Sequence, residues 1–182
     1  MCIIIDTVCF SKVFDPTNAE HKRFLPVFSW VMEEGGSIIY GGTTYRLEVT
    51  ERMRKFGRLL VDLGRKNRLI KLDDSRVDAE ESRLKALEPD ETFDDPHIVA
   101  MVIVSKCSVV CTDDTRSLPY LANRKFYPRG INPPNVYHSE AHAKFCCRKY
   151  MAKICLTRPA VKHGFNKRKS KARPKVSVAG RS

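Results

Sequence analysis

The sequence predicts an α/β fold: a three-layer α/β/α sandwich on a central parallel sheet of about five strands. Three observations carry that expectation. Short apolar runs without alternation, beginning with Ile3, Ile4 and Ile5, are the signature of strands covered on both faces. Amphipathic stretches separate these runs, and strands that alternate with helices call for a parallel sheet with helices on both sides. The chain has 182 residues, 42% hydrophobic and 30% charged, enough for one domain with a sizeable core.

The elements follow in order. Met1 to Asp6 is an apolar run closing on an acid, in which Ile3, Ile4 and Ile5 read as the first strand. Phe24, Val27, Phe28, Val31 and Met32 recur at helical steps, and Gly35-Gly36 ends that helix. Ser37 to Tyr40 is the second strand, closed by Gly41-Gly42. Thr43 or Thr44 caps the next helix. Its stripe Val49, Met53, Phe56, Leu60 and Leu63 alternates steps of four and three, and Gly64 lies near its end. Leu69 to Leu72 is the third strand. Residues 74–91 are charged and helix-prone, anchored by Leu84 and Leu87 and stopped by Pro89. Asp95-Pro96 opens an apolar helix through Ser105, with proline suited to the first helical position. Val109 to Thr112 is the fourth strand and runs into Asp113-Asp114. Phe126-Tyr127 is expected as a short fifth strand, Asn132-Pro133-Pro134 as a loop, and about Ser139 to about Leu156 as a last helix.

Charge divides the chain. The formal net charge is +12, yet 13 of the 33 Lys and Arg residues and none of the 21 acids lie in 144–182, leaving 20 bases against 21 acids in the remainder. A uniformly basic globule is excluded. The expected organisation is a domain over 1–156 and a basic, disordered tail over 157–182, of the kind that meets phosphate backbones. The longest apolar run, Ile98 to Ser105, falls well short of the roughly 20 residues of a spanning helix, so no membrane partner is expected. The first residues lack the basic start and cleavage site of a signal peptide. Seven cysteines without framework spacing then read as reduced thiols in a cytoplasm.

Acids stand where the strands end. Asp6 follows the first strand and Asp113-Asp114 the fourth; Asp95 opens the helix leading into the fourth, and Glu48 lies one turn into the helix after the second. In parallel sheets, ligands bind beyond the carboxyl ends of the strands. Carboxylates gathered there repel one another, and a hard cation with oxygen ligands relieves the repulsion. Two cations about 3.5–4 Å apart suit phosphodiester cleavage. Asp95 alone reads equally well as a helix cap, worth about 1 kcal/mol. Asp6, behind three isoleucines, needs a cation or hydrogen-bond donors, because an unpartnered buried carboxylate costs several kcal/mol.

These pieces, IIIDT, YGGTTYRLE, DDPHIVAMVIV and VVCTDD, in this order and spacing over roughly residues 1–150, resemble a PIN-domain nuclease. The resemblance implies strand order 3-2-1-4-5, which sets the first strand beside the fourth and Asp6 beside Asp113-Asp114. It assigns Asp6, Glu48, Asp95 and Asp114 as the catalytic and metal-holding acids. Glu48 is chosen over Glu51 because, at about 100° per residue, it lies nearer the apolar stripe. Asp95 is chosen over Asp94 because it directly precedes Pro96-His97-Ile98, and Asp114 over Asp113 because the family pattern T-x-D begins at Thr112. Asp113 stays open as a supporting acid or the alternative ligand. Thr7 resembles the hydroxyl residue that follows the first acid, and Thr112 supports the site.

The implied activity is a Mg²⁺- or Mn²⁺-dependent endoribonuclease with one or two ions. RNA is the expected partner, with an antitoxin or inhibitor protein and a second copy of the chain as further candidates. Many small members of that family act as toxins; a stand-alone processing or defence nuclease is the variant. The rival reading is a non-catalytic RNA-binding module on the same fold. Arg52, Lys55 and Arg58, with Lys167, Arg168, Lys169, Lys171 and Arg173 of the tail, are the expected RNA contacts. His138, His142 and Cys146 fall on one face of the expected last helix, and with no fourth ligand at a usual zinc spacing they read as packing.

Overall fold

The structure, a computed structural model, describes residues 2–52 and 54–156. The expected tail over 157–182 lies outside the described residues, and with it the candidate contacts Lys167, Arg168, Lys169, Lys171 and Arg173. Five strands form one sheet: β1 (Cys2–Ile5), β2 (Ser37–Tyr40), β3 (Leu69–Lys71), β4 (Val109–Cys111) and β5 (Asn135–Tyr137). All pairs are parallel and the order is β3-β2-β1-β4-β5. Ile4 stands opposite both Ile39 of β2 and Val110 of β4. The first strand is thus central, which explains its unbroken apolar run: all four of its residues are fully buried.

Strand alternation separates two cores. Cys2 and Ile4 join Ile39 and Val110 on one face, under α5 (Asp74–Leu87) and α6 (Pro96–Ser105). Ile3 and Ile5 join Ile38, Val109 and Cys111 on the other, under α1 (Phe10–Phe14) and α2 (His21–Met32). The stripe of α2 is Phe24, Val27, Trp30 and Val31. On α5 the buried positions are Val77, Glu81 and Leu84, so the anchors are Val77 and Leu84, while Leu87 is exposed. Glu81 is tolerated because Thr44 Oγ1 donates to it at 2.9 Å and Lys85 Nζ at 2.6 Å.

The turn from β2 into α3 (Thr43–Arg52) depends on Gly42. Its φ of +83° is strained for a side chain, and an added Cβ would come within 2.6 Å of Val77 Cγ1. The open start of α3 is held from across the fold: Asp74 accepts from Gly42 N at 3.0 Å, and Asp78 accepts from Thr43 N at 2.7 Å.

Several expectations are corrected. The helix after the second strand is not continuous: a 3₁₀ turn over Arg54–Phe56 separates α3 from α4 (Gly57–Arg65), and Gly57, which reopens it, is a poor helix former. Phe126 ends a 3₁₀ turn, Arg124–Phe126, and is not in the sheet. The fifth strand is Asn135–Tyr137, directly after the two prolines. The last long helix is absent. Residues 139–156 form 3₁₀ turns at Glu140–Phe145 and Arg148–Tyr150 and one short helix, Lys153–Leu156. Neither turn buries a residue, and Ser139 and Cys147 are extended. Without a buried face a helix there gains no tertiary support. His138, His142 and Cys146 therefore share no α-helical face, although the two imidazole rings meet at 4.4 Å. Cys2 is not a reduced thiol: it forms a disulfide with Cys155, their Cα atoms 6.3 Å apart, while Cys9, Cys107, Cys111, Cys146 and Cys147 are free. Among the described residues no helix is long and apolar enough to cross a membrane.

Candidate metal centre

Asp6 sits where β1 leaves the sheet. Its N–H still follows the ladder, donating to Cys111 O at 2.9 Å, and the residue is only 4% exposed. Its Oδ1 accepts from Val8 N at 3.2 Å and its Oδ2 from Thr112 Oγ1 at 2.7 Å. Burial raises the pKa of Asp6, and these two bonds pull it back. Thr112 Oγ1 also accepts from Asp114 N at 3.1 Å, so one threonine ties the end of β1 to the end of β4. Beneath them Tyr45, from the first turn of α3, donates its hydroxyl to Ile5 O at 2.6 Å.

Glu48 approaches from α3. It is half-buried, whereas Glu51 is exposed, and it accepts from Thr7 Oγ1 at 2.7 Å. Thr7 thus holds an acid. Asp95 precedes α6, but its carboxylate makes no capping hydrogen bond, so capping does not account for it. Its pKa is pushed up to about 7, first by burial and then by the charges of Asp6, Asp94, Glu48 and Asp114. This is the electrostatic mark of carboxylates that converge without enough positive charge among them.

Asp114 lies on the open side. Arg116 grips it with Nε at 3.1 Å and Nη2 at 2.7 Å, and the same Nη2 reaches Asp94 at 3.0 Å. The hydrogen bonds from Arg116 hold the Asp114 pKa below the usual range. Asp113 points elsewhere. It is paired with Lys12 and, at 3.2 Å, with Arg23, which tie the end of β4 to α1 and α2.

Among the described residues two sets of ligand atoms come within 4.8 Å of one another: Glu48, Asp95 and His97, and Asp94, Asp95 and Asp114. Asp95 belongs to both. Asp6 belongs to neither, although its charge is among those that raise Asp95. His97, from the first turn of α6, is 1% exposed. Its Nδ1 and Nε2 are the buried side-chain polar atoms without a hydrogen-bond partner among the described residues. A buried unsatisfied polar group costs about 1–3 kcal/mol. The carboxylates of Glu48, Asp94, Asp95 and Asp114 and the orphaned imidazole of His97 are donors that could hold a divalent cation.

Sequence reasoning passed over His97 and Arg116. The histidine was visible in Asp95-Pro96-His97 but reads as helix core until Glu48 is placed beside it. An arginine two residues after Asp114 carries no signal by itself. Of the expected RNA contacts, Lys55 is paired with Asp15 at 2.9 Å, Arg58 is exposed, and the side chain of Arg52 lies outside the described residues. An open groove lined by Glu91, Thr92, Asp94, Arg116, Pro119 and Tyr120 borders the acidic cup. No protein-family model, no curated protein and no solved structure matches this chain.

Proposed function

We propose that the chain is a divalent-cation-dependent endoribonuclease of the PIN-like kind, acting on RNA phosphodiester bonds. The observation that carries this reading is Asp95. Its carboxyl is raised to about 7, first by burial and then by the charges of acids from β1, α3, the start of α6 and the end of β4. A pure RNA-binding surface gains nothing from carboxylates beside phosphate, since they oppose it.

Asp6, Glu48, Asp95 and Asp114 are the residues to hold Mg²⁺ or Mn²⁺, as one or two ions. A bound divalent ion supplies a nucleophile at neutral pH and stabilises the attacking and leaving oxygens of an in-line displacement. The chain's own groups set up that chemistry. Thr112 and the Val8 amide fix both oxygens of Asp6, and Thr7 fixes Glu48, so the donors stand preorganised. Arg116 occupies the solvent side, 69% exposed, where its guanidinium can exchange Asp94 for a substrate phosphate. An antitoxin or inhibitor protein, or a second copy of the chain, belongs to the same proposal through the family resemblance alone.

The test is incubation of the purified chain with total RNA in Mn²⁺ or in chelator. The expected result is new internal ends that require the cation and that vanish in Asp6→Asn while its circular dichroism is kept. Cleavage that survives chelator, or that Asp6→Asn retains, overturns the proposal.

A further inference from the structure

The orphaned imidazole of His97 is the least explained group in the fold. Among the described residues both ring nitrogens lack a hydrogen-bond partner, although the residue is 1% exposed. Natural proteins pair nearly all such atoms or place an ion or water against them. Nε2 faces Glu48 Oε1 at 3.7 Å, too far for a hydrogen bond. Two donors bound at about 2.1 Å to one ion stand roughly 3.0–3.4 Å apart, so this gap needs to close by only a few tenths of an ångström. Asp95 completes the set, with one donor atom of each residue within 4.8 Å of the others.

We infer that His97 is a nitrogen ligand in a mixed site with Glu48 and Asp95, and that it biases the centre toward a transition-metal dication such as Mn²⁺ over Mg²⁺. The inference deepens the proposed function and rests on it. The chemistry is that of donor softness: carboxylate sets suit Mg²⁺ and Mn²⁺ alike, whereas imidazole is a poor ligand for Mg²⁺ and a good one for later divalent metals. The position of His97 is fixed by the fold. Pro96 sets the first turn of α6, and the ring packs near that of Tyr45, centroids 6.2 Å apart. The residue therefore presents a rigid donor at the inner end of the cup. Asp94 and Asp114 lie toward its open side, where Arg116 grips both.

The experiment uses the metal-free full chain loaded with Mn²⁺ alone and reads nitrogen coupling to the ion by electron spin echo modulation. Unlabelled protein is compared with protein carrying ¹⁵N-histidine. The expected result is a histidine nitrogen signal that shifts on labelling, disappears in His97→Gln and persists in His142→Gln. In competition, the Mn²⁺-over-Mg²⁺ preference falls at least about tenfold in His97→Gln. If that variant does not fold, removing His21, His138, His142 and His163 one at a time assigns the signal by elimination. Bound Mn²⁺ without histidine coupling overturns the inference and leaves the carboxylate reading standing, as does coupling that survives in His97→Gln. Failure to bind Mn²⁺ at all overturns both.

Discussion

At the scale of single residues, the acids divide by what holds them. Asp95 makes no capping hydrogen bond to offset its burial, and burial with the neighbouring acid charges pushes its folded pKa up to about 7 against an ordinary 3.8. The folded state therefore binds a proton more tightly than the unfolded one between those values. Its stability without metal should rise as pH falls from about 7 toward 4, with the full cost of the ionised carboxyl present above 7. Asp95→Asn should flatten that dependence and stabilise the metal-free chain at pH 7.5 by roughly 1–3 kcal/mol. Thermal unfolding in chelator measures this; a variant no more stable than the parent would contradict it. Asp113 and Asp114 are neighbours with different work. Asp113→Asn should lower stability by about 1 kcal/mol or less, since its pairs with Lys12 and Arg23 are partly exposed, and should leave cation affinity alone. Asp114→Asn should do the reverse. Denaturant midpoints and Mn²⁺ titrations separate the two, and an exchange of their effects would make Asp113 the ligand. Asp6 and Asp95 were legible in the sequence because each sits at the edge of an unmistakable apolar run. His97 was not, because its meaning comes from Glu48, which the chain brings back from 49 positions upstream.

At the scale of elements, the site depends on how strands stop. β1 gives way to Asp6 and β4 to Thr112, and the hydroxyl of Thr112 joins the two exits. β2 ends at the Gly41-Gly42 turn, which sends α3 back so that Glu48 reaches Thr7. Gly42→Ala should cost roughly 2 kcal/mol or more, from the positive φ and the clash with Val77 together. Denaturant unfolding tests this, and an unchanged midpoint would contradict it. Strands and helices with dense apolar runs were readable: β1, β2, β4, α2 and α6 all lie where periodicity places them. The failures share a cause. β5 has three residues and follows two prolines, so nothing local distinguishes it from loop; pairing with β4 makes it a strand. Residues 139–156 carry helix-compatible spacing, but apart from the buried Ala152 the fold offers their apolar side chains only the margin of a core. Local propensity had no tertiary partner to complete it.

At the scale of the whole molecule, a parallel sheet collects four acid-bearing segments on its carboxyl edge, and the sequence places most of its excess positive charge beyond residue 143. The two features have separable roles. Deleting 157–182, which removes nine Lys and Arg residues, should weaken RNA binding and flatten its salt dependence while leaving cation affinity and melting temperature unchanged. Filter binding at low and high salt reads the first effect; affinity that is insensitive to the deletion would remove the tail from the account. The sheet order matched the one the family resemblance implies, with β1 between β2 and β4, but order alone does not make a cation site. The direct test is calorimetric titration of the metal-free chain with Mn²⁺ near pH 7, for the native sequence and for Asp95→Asn. The account predicts saturable binding of one or two ions with release of a proton, weakened at least tenfold in the variant. Heats that show no saturable binding, or that Asp95→Asn leaves unchanged, would contradict it.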